Sequence, residues 1–149
     1  MIINLKINGI EKNIKIKPHS YLLDVLRDLG YKSVKKGCDT GSCGVCTVLL
    51  NGKPIRSCSF LAVRAENCEI TTIEGVQKQA EEIAKYITAE GADQCGYCSP
   101  SLILTIIGMQ NEIKNPTYEE TLKYVKGNLC RCTGYEGQHR AIRKYLGVE

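Results

Sequence analysis

Long apolar runs are missing from this 149-residue chain. Its greasiest stretch, Leu102 to Ile107, falls far short of the roughly 20 residues that a membrane span needs, and it reads as a core helix. The N-terminus lacks the basic, then apolar, then small-residue order of a secretory leader. Together these absences predict a cytoplasmic chain with no membrane insertion. Also lacking are a Gly-x-Gly-x-x-Gly turn in a strand–helix context, a P-loop, and any nucleophile–base pair. A nucleotide site or a hydrolytic centre is thereby excluded, and no catalytic residue is assigned. The acidic pairs Glu81-Glu82 and Glu119-Glu120 fall on helical patterns and read as solvated. Histidine is scarce, and His19 and His139 stand alone, so neither is a candidate ligand. The lysines are scattered without interleaved aromatics, which argues against nucleic acid as a partner despite a formal charge of +4.

Cysteine, by contrast, is abundant, with nine in the chain. In a reducing compartment such clusters hold metal more often than they form disulfides. Cys38, Cys43 and Cys46, followed by the distant Cys58, give C-x4-C-x2-C…C, the plant-type ferredoxin spacing for a [2Fe–2S] cluster. Gly37, Gly41 and Gly44 would let this loop take positive φ and turn its N–H groups inward. A second set pairs Cys95 and Cys98 with Cys130 and Cys132. Its C-x2-C and C-x-C halves suit iron–sulfur, but by spacing alone zinc remains open. With two clusters, eight thiolates against two dicationic oxidised cores would bring the formal +4 to zero, so the basic balance belongs to the metal-free chain. Cys68 belongs to neither set and reads as a small half-buried hydrophobe.

The periodicity divides the chain. Ile3, Leu5 and Ile7 alternate with polar residues, Asn8-Gly9 signals a hairpin, and Ile14 and Ile16 alternate on the return. Ser20 is the expected cap of a helix over residues 21–29 that Gly30 ends. Strands follow at 47–50, at 55–58 beyond the Asn51-Gly52 turn, and at 69–73. From Val76 the spacing turns helical up to Gly91. Ser99 as cap and Pro100 as first helical residue open the next helix, to about Lys114. Thr117 to Glu120 is a capping-box pattern, and residues 138–146 form a last helix stopped by Gly147. The expected organisation is α+β, with a sheet domain over 1–75 and a helical domain over 76–149. Each domain owns one cysteine set. Helices starting just after Cys98 and Cys132 would aim positive dipole ends at the second set.

The stretches Gly37 to Val48, Gln94-Cys95-Gly96-Tyr97-Cys98 and Gly127 to Tyr135 resemble the iron–sulfur subunit of the xanthine oxidase family of molybdenum hydroxylases. The resemblance covers nearly the whole chain. It implies an N-terminal β-grasp, plant-type ferredoxin-like domain followed by a four-helix bundle, each with a [2Fe–2S] cluster. It further implies a large molybdopterin-binding partner subunit and an FAD-binding partner subunit. On this likeness Gln94 hydrogen-bonds the pterin, Cys132 is the ligand nearest it, and electrons leave through the Cys38/43/46/58 set towards FAD. Purine or xanthine oxidation is the expected reaction, with nicotinate, aldehydes, carbon monoxide and aromatic acyl-CoA as alternatives. A free-standing two-cluster ferredoxin is the rival. The sequence departs from the family pattern at Ser101, where glycine is usual, and at Val45, where alanine is common. Arg131, between two ligands, is a candidate for docking or for raising the second cluster's potential. Tyr97 and Tyr135 are candidates for shielding it.

Overall fold

The computed structural model describes residues 1–148. Alternation in the first residues becomes strand β1 (Ile2–Ile7), whose Ile3, Leu5 and Ile7 are buried on one face. The Asn8-Gly9 turn, with φ of +50° and +82°, returns the chain as β2 (Ile10–Lys15), antiparallel to β1 with Ile7 opposite Ile10. Helix α1 (Leu22–Asp28) buries Leu22, Leu23, Val25 and Leu26. Strands β3 (Thr47–Leu50) and β4 (Lys53–Arg56) form a second hairpin across Asn51-Gly52. Strand β5 (Glu69–Thr71) pairs parallel with β1 and antiparallel with β3, giving the order β2-β1-β5-β3-β4. One apolar core lies between this mixed sheet and α1.

The helical half comprises α2 (Gln77–Ala89), α3 (Ser99–Glu112), α4 (Tyr118–Val125) and α5 (Glu136–Leu146). Helix α3 is buried without a break from Ser101 to Met109 because it packs against α2, α4, β3 and β4. Gly108 permits that approach, since a Cβ there would lie 2.6 Å from Cδ of Pro54. Leu49 of β3 belongs to the helical core, not to the core beneath the sheet. A clasp ties the first hairpin to the end of the sheet region. Asn8 Oδ1 accepts from the Thr72 N–H at 2.9 Å, and Asn8 Nδ2 donates to Thr72 Oγ1 at 2.8 Å. No helix among the described residues is long and apolar enough to cross a membrane.

Several local expectations shift. Tyr21, not Ser20, is the N-cap of α1, because Tyr21 is held by a bridge to Leu61 while the Ser20 hydroxyl accepts from the Lys17 N–H. Cys98, not Ser99, caps α3, which puts Ser99 inside the helix and Pro100 in its first turn. The capping box at Thr117 and Glu120 is complete, with both reciprocal bonds present. The strand expected at 55–58 stops at Arg56 and becomes a 3-10 turn over Ser57–Ser59. The strand at 69–73 stops at Thr71, and Ile73–Gly75 is likewise a 3-10 turn.

Candidate metal centres

The loop between α1 and β3 carries Cys38, Cys43 and Cys46, and the 3-10 turn after β4 brings Cys58 to them. Gly41 and Gly44 take φ of +70° and +74°, as expected, but Gly37 does not. Space is what requires glycine at 37: a Cβ would stand 2.7 Å from Val45 Cγ1 and 3.1 Å from the Cys43 sulfur. Val45 is thus accommodated against that glycine. Ser57 and Thr47, both buried, stitch the loop from below. The Ser57 hydroxyl donates to the Cys46 carbonyl at 2.7 Å and the Thr47 hydroxyl to the Gly44 carbonyl at 2.6 Å. Backbone N–H groups of Cys43 and Thr40 pull the half-buried Cys38 thiol down to about 5. Burial pushes the Cys46 thiol up to about 11 and also raises Cys43. An open hollow of about 400 Å³ beside Cys38 and Cys58 is rimmed by Tyr21, Asp24, Lys36 and Asp39.

Cys95, Cys98, Cys130 and Cys132 line one hollow of about 390 Å³, whose back wall is Gly37, Cys43 and Val45 of the first loop. Cys98 stands at the start of α3, and Cys132 three residues before Tyr135, the left-handed N-cap of α5 (φ +72°). Both helices therefore begin at this hollow. Burial pushes the Cys98 thiol up to about 11. Cys130 is also penalised by burial, but hydrogen bonds from Thr133, the Cys132 backbone and the Cys98 thiol together outweigh it and bring its thiol below the ordinary value. Cys132 is raised by the neighbouring Cys95 thiol. Ser101 fits without strain, buried and donating its hydroxyl to the Cys98 carbonyl at 2.9 Å.

The eight sulfurs come as facing pairs: Cys38 with Cys43, Cys46 with Cys58, Cys95 with Cys132, and Cys98 with Cys130. Two pairs per site suit a two-iron core with two thiolates on each iron. The donor set therefore fits [2Fe–2S] better than zinc.

The structure also reveals contacts that residue spacing did not show. The Leu129 N–H, next to Cys130, donates to the Cys43 carbonyl at 2.9 Å, joining the two cysteine loops directly. Gly44 makes this possible, because a Cβ there would meet the Gly127 carbonyl oxygen at 2.3 Å. Tyr97 lines the hollow of the second set, half exposed, and also acts as a strap. Its hydroxyl donates to the Lys36 carbonyl at 2.9 Å, while Lys35 Nζ donates to its carbonyl at 3.1 Å. Tyr135 also lines the hollow, its hydroxyl accepting from the Cys130 N–H at 3.1 Å. Thr133 Oγ1 donates to the Cys130 sulfur at 3.3 Å, and the buried Gln138 donates Nε2 to the Cys98 sulfur at 3.6 Å. A polar residue on the stripe shared with Ala141 and Ile142 was the one available signal for Gln138. Gln94 is exposed in the loop before Cys95, and Arg131 is exposed between its cysteines. Cys68, half-buried just before β5, lies in neither set, and His139 stacks on Tyr135.

Comparison with known proteins agrees with this geometry. The family profile "2Fe-2S iron-sulfur cluster binding domain" matches residues 5–83, and "[2Fe-2S] binding domain" matches residues 72–143. The chain is 44% identical to the nicotinate dehydrogenase small FeS subunit of Eubacterium barkeri, over 95% of this chain and 92% of that protein. It is 41% identical to the xanthine dehydrogenase iron-sulfur-binding subunit of Escherichia coli O157:H7, covering 90% of this chain and 87% of that one. Among solved structures, the aldehyde oxidoreductase from Desulfovibrio gigas superposes with a TM-score of 0.87 at 35% identity. That match covers 99% of this chain and 17% of the longer one.

Proposed function

The chain belongs to the iron–sulfur subunits of the xanthine oxidase family of molybdenum hydroxylases, and from that membership we propose a residue-by-residue assignment of its relay. Two [2Fe–2S] clusters supply one-electron redox chemistry. In this proposal Cys38, Cys43, Cys46 and Cys58 hold the first, and Cys95, Cys98, Cys130 and Cys132 the second. The observation that carries the assignment is the 2.9 Å bond from the Leu129 N–H to the Cys43 carbonyl. It makes two otherwise separate four-cysteine sites neighbours, as an electron-transfer subunit requires. We take Gly75 as the boundary between the two cluster-bearing domains, a placement supported by the overlap of the two family profiles at 72–83.

The likeness to one segment of a longer enzyme supports a large molybdopterin-binding partner. We place that partner over the exposed Cys95 and Cys132, where Gln94 meets the pterin and Cys132 lies nearest to it. The first set, open beside Tyr21 and Lys36, faces an FAD-binding subunit. The assembly works in the cytoplasm. Its substrate is an electron-poor nitrogen heterocycle, with purine or xanthine as the leading reading. Nicotinate is the second, favoured by the 44% identity to a nicotinate dehydrogenase subunit.

The assembled complex, purified anaerobically, tests this. Xanthine or nicotinate should reduce two distinguishable S = 1/2 centres, with four irons and four labile sulfides per copy of this chain. Zinc in the second site, or a chain that always elutes as a lone monomer, would overturn the assignment.

A further inference from the structure

Helix α5 turns three buried residues inward: Gln138, Ala141 and Ile142. The last two pack in the helical core. Gln138 breaks the apolar stripe, although it is 4% exposed and sheds almost all of its hydration. A buried amide is retained where it meets an acceptor. Its partner is the sulfur of Cys98, 3.6 Å from Nε2 and 40 positions away in the chain.

The sulfurs of the second site are unequally served. Cys98 receives Gln138, and Cys130, which faces it, receives the Thr133 hydroxyl at 3.3 Å. Cys95 receives one backbone N–H, from Tyr97 at 3.4 Å. Among the described residues the Cys132 sulfur meets only the backbone N–H and thiol of Cys95 and no other side chain, and Cys95 and Cys132 are both exposed. Hydrogen bonds to cluster sulfurs stabilise the extra negative charge of reduction and raise the potential. The better-served pair lies on the inner side, where Leu129, next to Cys130, contacts Cys43 of the first loop.

We propose that Gln138 is a positioning residue for electron transfer. Its amide bond to the Cys98 sulfur raises the reduction potential of the second centre and, with Thr133, makes the iron held by Cys98 and Cys130 the one that becomes ferrous. The inference rests on the reading that the second set holds a [2Fe–2S] cluster. In the step concerned, one electron from the reduced molybdenum–pterin partner, or from dithionite in the test, converts a diferric core to a ferric–ferrous one. No bond breaks and no proton moves. The electron then resides on the side facing the first loop, so the subunit has a built-in direction.

The test is an EPR-monitored redox titration of the complete two-cluster chain as parent, Gln138→Leu and Gln138→Glu. Gln138→Leu keeps the bulk without the donor, and Gln138→Glu places a carboxylate beside the sulfur. The second centre's midpoint should move to more negative potential in both, further in Gln138→Glu, while the first centre's midpoint stays in place. A second readout uses Gln94→Leu protein, which lacks the other glutamine beside the second set, carrying glutamine labelled with 15N at the side-chain amide; a hyperfine coupling to the reduced second centre is expected. An unmoved or more positive midpoint in Gln138→Leu, with both signals intact, overturns the proposal. If Gln138→Leu fails to retain its second centre, the nitrogen coupling in the labelled Gln94→Leu protein decides: its presence supports the proposal and its absence overturns it. Iron and sulfide content separates this outcome from failure of the underlying reading, which would show as two irons and a single EPR signal in the parent itself.

Discussion

Gly44→Ala strikes the point where the two cysteine loops touch. Gly44 has φ +74°, and an added Cβ would sit 2.3 Å from the Gly127 carbonyl oxygen, well inside the 3.0 Å that real Cβ contacts respect. The opposing atom is backbone and cannot swing aside, so the loops must part. Left-handed strain on alanine costs about 1–2 kcal/mol. The forced separation adds about 1–3 kcal/mol, as for an overpacked core. Losing the Leu129–Cys43 hydrogen bond adds about 0.5–1.5 kcal/mol. Gly91→Ala is the control, because Gly91 has φ +65° and nothing within 4 Å of a built Cβ, so it carries the strain alone. The difference between the two variants is therefore about 1.5–4.5 kcal/mol. At about 2–4 °C per kcal/mol for a chain near this size, that is roughly 8 °C in the temperature at which the visible iron–sulfur absorbance is lost. Equal losses in the two variants would refute the close approach of the loops and the coupling built on it.

Cys132→Ser should lower iron from four to two per chain, abolish one EPR signal and leave the first centre's signal unchanged. Substrate-driven flavin reduction in the assembled complex should stop, and its persistence would count against the order of centres. The Glu90 carboxylate, 12% exposed at the end of α2, is ion-paired with Arg140 and Lys144 of α5, and these two cations hold its pKa below the usual carboxylate range. Its contribution is therefore fully present above the unfolded value near 4.5 and is lost as pH falls through the lower folded value. Helical circular dichroism should show Glu90→Gln melting below the parent at pH 7, with the gap closing below about pH 4.5; a constant gap would be inconsistent with the ion pairs. Removing iron with a chelator should raise amide hydrogen exchange at residues 37–46 and 129–134 while α3, buried from Ser101 to Met109, stays protected. Equal deprotection of α3 would mean that the helical core depends on the metal.

Much of the fold was legible because its signals are local. Asn8-Gly9 and Asn51-Gly52 supply the positive φ that tight hairpins demand, and Thr117 with Glu120 closes its box within one helical turn. Local reasoning failed where a distant residue competed. Tyr21 displaces Ser20 as a cap through Leu61. Gly37 seemed to serve backbone freedom but serves space, since the crowding comes from Val45 after the chain has turned.

The sequence by itself determined the chemistry and the family: eight cysteines in two four-residue patterns, the turn glycines between them, and the change from a two-residue to a helical period near Gly75. These depend on bonding geometry and periodicity over a few neighbouring residues. Only the tertiary structure decided how the two sites meet. Tyr97 reaches Lys36 across 61 positions, Gln138 reaches Cys98 across 40, and Leu129 reaches Cys43 through a backbone bond that no side-chain type announces. Such contacts arise from packing α3 and the cysteine loops onto one sheet, and packing brings together residues whose types show no sign of the partner they will find.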